Sequence, residues 1–285
     1  MRPAWPMEPR TPVDSSATRG KAVGRRVRWR QTFADAVPRT EFIQGWPFWR
    51  PLCALLLLTL VFRGSDLDLR IARWCFDAES GTWPWERAQP WREFYRWGVY
   101  PGLLIGSVGG LCGLLGWRWG LSSRMRRAGL FLLCAVIAGP GLLVNVGLKH
   151  GWARPRPHEV RDFGGTQEFL RVGTPALQNS ANASFPSGHA AIAFSAIAPA
   201  FVVGGGQLRL CRGLLAFGLG LGTVMSVARV IQGGHWVSDV VWSAGVVYLT
   251  TAGLAAVMLN PVWKRVPTPT ANRQRVRVPT ESATS

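Results

Sequence analysis

Phe185-Pro186-Ser187-Gly188-His189 runs without a break into Ala190-Ala191-Ile192-Ala193-Phe194 and on to Val203. Pro, Ser and Gly directly before a long apolar run mark a helix start. The first turn of a helix carries unpaired backbone N–H groups and the positive end of the dipole, which together seat an anion. His189 falls in that turn, placed to exchange a proton with whatever the seat holds. Taken alone, the stretch reads equally as a capped helix with a surface histidine. The flanking sequence decides between the two.

The apolar run is one of six. The others are Trp46–Phe62, Trp97–Trp117, Ala128–Leu148, Gly213–Val230 and Trp236–Leu259, with this one at His189–Gly204. The chain has 285 residues, 48% of them hydrophobic, with 15 Trp and a formal net charge of +18. A soluble protein this basic suggests nucleic acid. Here the basic residues lie between long apolar blocks, which indicates a membrane protein and no nucleic-acid partner. The expected fold class is all-α, a six-transmembrane-helix bundle with a short interfacial helical loop. The five cysteines (53, 75, 112, 134 and 211) have neither metal-site spacing nor a disulfide pattern.

Three segments follow from this. Residues 1–46 are a basic, disordered cytoplasmic tail, with Arg25, Arg26, Arg28 and Arg30 set to attract anionic lipid. Residues 47–260 form the membrane domain, and 261–285 a second basic cytoplasmic tail. Within the domain, residues 63–96 are charged and Trp-rich, and read as one or two short helices on the membrane surface. Gly139-Pro140-Gly141 predicts a kink in the third block. Six spans put both termini on one side. Arg118, Arg124, Arg126, Arg127, Arg209 and Arg212 share that side, which is cytoplasmic by the positive-inside rule. Loops 63–96, 149–188 and 231–235 then share the opposite, extracytoplasmic side.

Lys149, Arg154 and Arg156 break the charge rule by lying outside. Arg229 does so near the outer end of an apolar span, and an ionisable group there is a functional candidate. His235 and Asp239 lie four apart at the start of the sixth block and share a helix face. A carboxylate there can hold one ring N–H and leave the other nitrogen basic and nucleophilic. Arg229 lies six residues before His235, across Gly233-Gly234. Lys149, Arg154, Arg156, Ser187, Gly188, His189, Arg229, His235 and Asp239 thus converge at one end of the bundle. The set offers cations, a helix N-terminus and a hydroxyl. These suit phosphate oxygens and a five-coordinate phosphorus. No Asp/Glu cluster for Mg²⁺ and no Cys/His set for Zn²⁺ accompanies them, so no metal and no cofactor is expected. Two histidines with different neighbours suggest two roles, one attacking phosphorus and one protonating the leaving oxygen.

These residues resemble the type 2 phosphatidic acid phosphatase superfamily, whose pattern is K-x6-R-P, then P-S-G-H, then S-R-x5-H-x3-D. The sequence has Lys149-x6-Arg156-Pro157, Pro186-Ser187-Gly188-His189 and Arg229-x5-His235-x3-Asp239, over about residues 97–259. Ala228 replaces the Ser expected before Arg229, and Ser226 lies two residues earlier. Arg154-Pro155 duplicates the Arg-Pro pair, with Arg154 a supporting or substrate-side charge. Asp162-Phe163-Gly164-Gly165 through Phe169, with Ser184-Phe185, is similar to the bacterial branch containing lipid A phosphatases. The resemblance implies His235 as nucleophile forming a phosphohistidine, Asp239 as its orienting group, and His189 as general acid. Lys149, Arg156, Ser187, the Gly188 N–H and Arg229 would hold the phosphate. His150 and His158 match no motif position and read as loop residues. The implied substrate is a membrane lipid phosphate: phosphatidic acid, phosphatidylglycerol phosphate, undecaprenyl pyrophosphate or lipid A phosphate. Lipid-to-acceptor phosphotransfer would use the same residues. A haloperoxidase of the same superfamily is disfavoured by the six apolar blocks, and an anion-binding transporter or scaffold by the intact motif set.

Overall fold

The computed structural model describes residues 48–176, 183–203 and 207–259. Both basic tails lie outside them. Within the described residues the protein is helical, with two isolated bridges (Asp77 to Thr82, Val160 to Gln167) and no strand. The helices are α1 (Trp49–Gly64), α2 (Leu67–Cys75), α3 (Trp91–Trp97), α4 (Tyr100–Leu115), α5 (Ser123–Val136), α6 (Gly188–Phe194), α7 (Ala198–Val203), α8 (Leu208–Ile231) and α9 (Val237–Met258).

Four helical stretches are long and apolar enough to cross a bilayer: Trp91–Leu115, Ser123–Glu159, Leu208–Ile231 and Val237–Met258. Gly188–Val203 is apolar but shorter. The interfacial loop expected over 63–96 contains α2 and α3. The second span begins at α3, six residues before the expected block.

The Gly-Pro-Gly sequence widens the third span without breaking it. After α5 the chain passes through π-type turns over Ile137–Leu148 and closes with Lys149–Trp152. Pro140 has no N–H to give and crowds the preceding turn, so the local ladder must relax. Asn145 Nδ2 donates to the Pro140 carbonyl at 2.8 Å and satisfies one group that this relaxation exposes. The result carries Lys149 on a helix rather than in a loop.

Glycines make the α4–α5 contact close. Gly102, Gly106, Gly109, Gly110 and Gly113 are all buried on α4. A Cβ at Gly109 would meet Leu132 Cβ at 2.7 Å, so only a bare Cα fits there. At the centre, α6 is joined to α7 by a 3₁₀ turn at Ser195–Ile197. Ala190, Ala191, Ala193, Phe194, Ala196, Ile197, Ala198 and Ala200 are buried on every side of this element. A helix apolar all round is a core helix, and here α8, α9 and the π-type stretch surround it. Its N-terminus therefore opens where the ends of the third span, α8 and α9 meet.

Candidate active site

Each part of the site is placed by a local feature of the sequence. The helix Lys149–Trp152 is closed at Ala153, whose φ of 44° and ψ of 30° are left-handed, and Pro155 and Pro157 prevent its resumption. Ser187 caps α6, its hydroxyl accepting from the Ala190 N–H at 3.4 Å. The Ser243 hydroxyl donates to the Ser187 carbonyl at 2.9 Å and fixes the cap against α9. Gly188 is required by space, because a Cβ there would lie 2.5 Å from Asn145 Oδ1. The turn joining α8 to α9 needs Gly233, which has φ of 66°. Gly234 next to it lies against the Arg229 guanidinium, and a Cβ would overlap that group.

One side of the site is cationic. Lys149, Arg156 and Arg229 lie within electrostatic reach of one another and of His189. Arg229 is 8% exposed; its Nη1 donates to Gln232 Oε1 at 3.0 Å. Its Nε is buried and has no acceptor among the described residues. Tyr95 of α3 touches both Arg229 and His189. The Arg229 guanidinium carbon lies 4.6 Å from the ring centre. The His189 ring stacks on the same tyrosine at 4.7 Å, with 29° between the planes.

His235 stands at the opposite side, buried and 2% exposed. Its Nδ1 lies 2.8 Å from the Ser184 carbonyl oxygen and 3.7 Å from Asp239 Oδ2. A carbonyl only accepts, so Nδ1 carries the proton and Nε2 keeps its lone pair. Asp239 sits at ion-pair rather than hydrogen-bond distance, and the direct hydrogen bond to Nδ1 runs to the backbone. Burial pushes the His235 imidazole down from 6.5 to about 4. The pull of Asp239 opposes this, while Arg229 and Arg156 add to it. At neutral pH the ring is uncharged.

Asp239 is itself held tightly. It accepts from the Ser184 hydroxyl, from the Trp236 N–H at 2.9 Å and from Arg154 Nη1 at 2.6 Å. Arg154 thus lies behind the carboxylate, on the side away from the cations, and is the supporting charge of the two readings the sequence left open. The Ser184 N–H donates to the Arg154 carbonyl at 2.7 Å, and Trp236 Nε1 to the Pro155 carbonyl at 2.8 Å. These two bonds clamp the three sequence motifs together.

Sequence reasoning passed over three residues that the fold brings in. His158 donates through its backbone N–H to the Gly233 carbonyl at 3.2 Å, and its Nδ1 lies 2.9 Å from the same oxygen. It braces the turn that presents His235. Tyr95 gave no signal beyond lying in an aromatic loop. Asp68 sits in an alternating charged and apolar stretch that reads as a wet helix face, yet it is 2% exposed. His150 lies on the closing turn of the third span, its Nδ1 2.8 Å from the Val146 carbonyl. Ser226 donates its hydroxyl to the Gly222 carbonyl at 2.7 Å along its own helix. Its hydroxyl is engaged there, and Ala228 is fully buried.

Residues 129–263 match the family model described as PAP2 superfamily, a stretch that contains Lys149, the Ser187–His189 cap, Arg229, His235 and Asp239. The chain is 33% identical over 135 residues to a lipid A 4'-phosphatase of Francisella tularensis subsp. novicida (strain U112), covering 47% of this chain and 60% of that protein. It is 49% identical over 61 residues to a lipid A 4'-phosphatase of Rhizobium etli, covering 21% of this chain and 24% of that one. For the protein of the same description from Rhizobium leguminosarum the figures are 48%, 61 residues, 21% and 26%. The similarity therefore spans from a quarter to three-fifths of these relatives' own lengths. No solved structure matches the chain. The resemblance to the lipid A phosphatase branch is met by these relatives. Asp68 and Tyr95 lie outside the PAP2 match.

Proposed function

We propose that this protein is a multi-pass membrane phosphatase that hydrolyses a lipid phosphomonoester or pyrophosphate through a phosphohistidine on His235. The observation that carries the reading is the buried, neutral His235, with its Nδ1 proton held and Nε2 bare, within electrostatic reach of Arg229 and Arg156, which Lys149 joins. Nε2 attacks phosphorus, and the bond from phosphorus to the lipid oxygen breaks. His189 gives a proton to the departing oxygen. Water then attacks the phosphohistidine, His189 takes its proton, and inorganic phosphate leaves. The three cations, Ser187 and the Gly188 N–H hold the equatorial oxygens as charge spreads over them. Among the described residues no three His, Cys, Asp or Glu come together as metal ligands, and the reading gives the electrophilic role to Lys and Arg.

An apolar cavity of ≈ 400 Å³ lies among α2, α8 and α9, lined by Ile71 and Cys75 of α2 with Phe194, Val230, Val237 and Val241. None of the residues proposed to hold the phosphate lines it, and its apolar walls offer room for part of a hydrocarbon chain, which suits an amphiphilic substrate. Of the four lipids considered, the three relatives favour a lipid A phosphate. The reading keeps six spans, counting α1 and Gly188–Val203 with the four long helices. It also keeps cytoplasmic termini and a site on the exterior face, from the charge distribution of the loops.

The test is phosphate release from a panel of the four lipids by purified protein in mixed micelles. Release from the lipid A phosphate, blocked by vanadate and unaffected by EDTA, is expected. Release from none of them, or loss with EDTA, overturns the reading. A periplasmic reporter fused near residue 170 should be active, and an inactive one reverses the topology.

A further inference from the structure

We infer that Asp68 and Arg154 are a positioning pair for Asp239, through which α2 on the membrane surface holds the His235 imidazole in its working geometry. The inference rests on His235 being the nucleophile. Arg154 is completely buried between two buried carboxylates. Its Nη1 donates to Asp239 Oδ1 at 2.6 Å and its Nη2 to Asp68 Oδ2 at 2.9 Å. Ser238 joins the two halves. Its N–H and hydroxyl donate to Asp68 at 3.0 and 2.6 Å, and its hydroxyl oxygen accepts from Arg154 Nη1 at 2.8 Å. Arg154 Nε donates to the Leu170 carbonyl at 2.8 Å, and the guanidinium lies over the rings of Trp236 and Phe169 at 5.3 and 5.7 Å. The guanidinium is thus fixed on every side.

The charges give this arrangement a function beyond tying a loop to a helix. One guanidinium between two carboxylates leaves a net charge of −1 in a dry site behind a neutral ring. When Nε2 bonds to phosphorus and Nδ1 keeps its proton, the ring becomes a cation. The cluster of Arg154, Asp68, Asp239 and His235 then sums to zero. A fixed negative charge that is balanced only as the ring becomes positive lowers the barrier to phosphorylation. Removing the charge of Asp68 would leave Arg154 paired one-to-one with Asp239, competing with the ring for that carboxylate. Asp68 is the one member contributed from outside the PAP2 match.

The experiment compares Asp68→Asn, Asp239→Asn and the double variant in the full-length protein, with kcat, KM and competitive inhibition by inorganic phosphate as readouts. Phosphate reports the cationic seat, which Asp68 does not touch. Asp68→Asn is expected to lower kcat by about 10- to 100-fold, as loss of a group behind a working side chain does. KM and phosphate inhibition should stay within about threefold of the parent, since ground-state binding is intact. In the Asp239→Asn background the same change should cost no more than about threefold further, because the pair acts through Asp239. Arg154→Lys keeps the charge but loses the planar fork, and serves if Asp68→Asn does not fold. It should show the same kcat loss with phosphate inhibition retained. A parental kcat in a folded variant, losses that multiply with Asp239→Asn, or phosphate inhibition lost in parallel with kcat would each overturn the inference. If His235→Ala still turns over, the nucleophile assignment fails first, and that outcome is distinguishable from failure of the pair.

Discussion

The two sides of the His235 ring are built on opposite electrostatic plans. In front, Lys149, Arg156 and Arg229 crowd one positive charge upon another, with His189 and Tyr95 between α3 and α8. Behind, two carboxylates share Arg154. A cluster of like charges is unfavourable in an empty site and becomes favourable when an anion enters it. The rear cluster is satisfied at all times by its own hydrogen bonds. The front gains when an anion offsets its like charges, while the rear fixes geometry before any ligand arrives. The contrast also explains why the front residues are carried by helix ends and turns, and the rear ones by the clamp that joins the three motifs.

The comparison can be broken hardest at the ring that separates the two sides. His235→Ala in folded protein should reduce turnover by roughly 10⁴-fold or more, the loss expected when a nucleophile is removed. Phosphate release within tenfold of the parent would remove the ring from the chemistry. His189→Ala tests the front alone, with a loss of about 10²- to 10⁴-fold. A substrate with an acidic leaving group, such as an aryl phosphate, should recover much of that loss because its oxygen needs no proton. Equal losses on both substrates would contradict the acid role.

Arg229→Ala should cost about 10²- to 10³-fold, the usual effect of removing one donor to transition-state charge. The same variant should bind inorganic phosphate more weakly, which separates a front residue from a rear one. Tyr95→Leu sharpens the picture at smaller scale. Loss of its contact with Arg229 should cost roughly two- to thirtyfold, the range from an exposed to a desolvated cation–π contact, because Arg229 is 8% exposed and Tyr95 40%. An effect as large as that of Arg229→Ala would give the ring a role in catalysis.

The smallest effect is the pH response of the rear side. With the folded His235 at about 4 and an ordinary imidazole at 6.5, the unfolded chain takes up the proton first as pH falls. Stability contributed by this group is complete above pH 6.5 and declines between 6.5 and 4. On the proposed mechanism attack needs the neutral ring, so the acid limb of kcat/KM should fall near pH 4 rather than 6.5. A limb near 6.5 would mean that the ring is wetter than its burial indicates.

Much of the helical architecture was legible because hydrophobic blocks and breakers are local signals. The cap at Ser187, the glycine turn before His235 and the short helix α2 within 63–96 all follow from residue types in sequence, whereas α3 is continuous with the stretch Trp91–Leu115. The third span was harder to read. Gly139-Pro140-Gly141 announces a disturbed ladder, but whether it bends, breaks or widens depends on what lies alongside, and Asn145 with the packing of α9 favours π-type turns. The direct acceptor of the His235 proton was also hidden. The i, i+4 spacing brings Asp239 near the ring, but the hydrogen bond goes to the Ser184 carbonyl, a residue 51 positions away in the chain.

By itself the sequence determined which side chains are candidates for the chemistry, since the spacings Lys149 to Arg156, Ser187 to His189 and Arg229 to Asp239 are each set over a short stretch at a helix end or the turn beside it. Only the tertiary structure decided what stands behind them. Asp68 and Arg154 are 86 residues apart. Nothing local distinguishes a buried aspartate on α2 from the solvated face that its charged neighbours suggest. Its partner is supplied by a loop that α9 clamps in place, so its burial and its charge acquire meaning only once the chain has closed on itself.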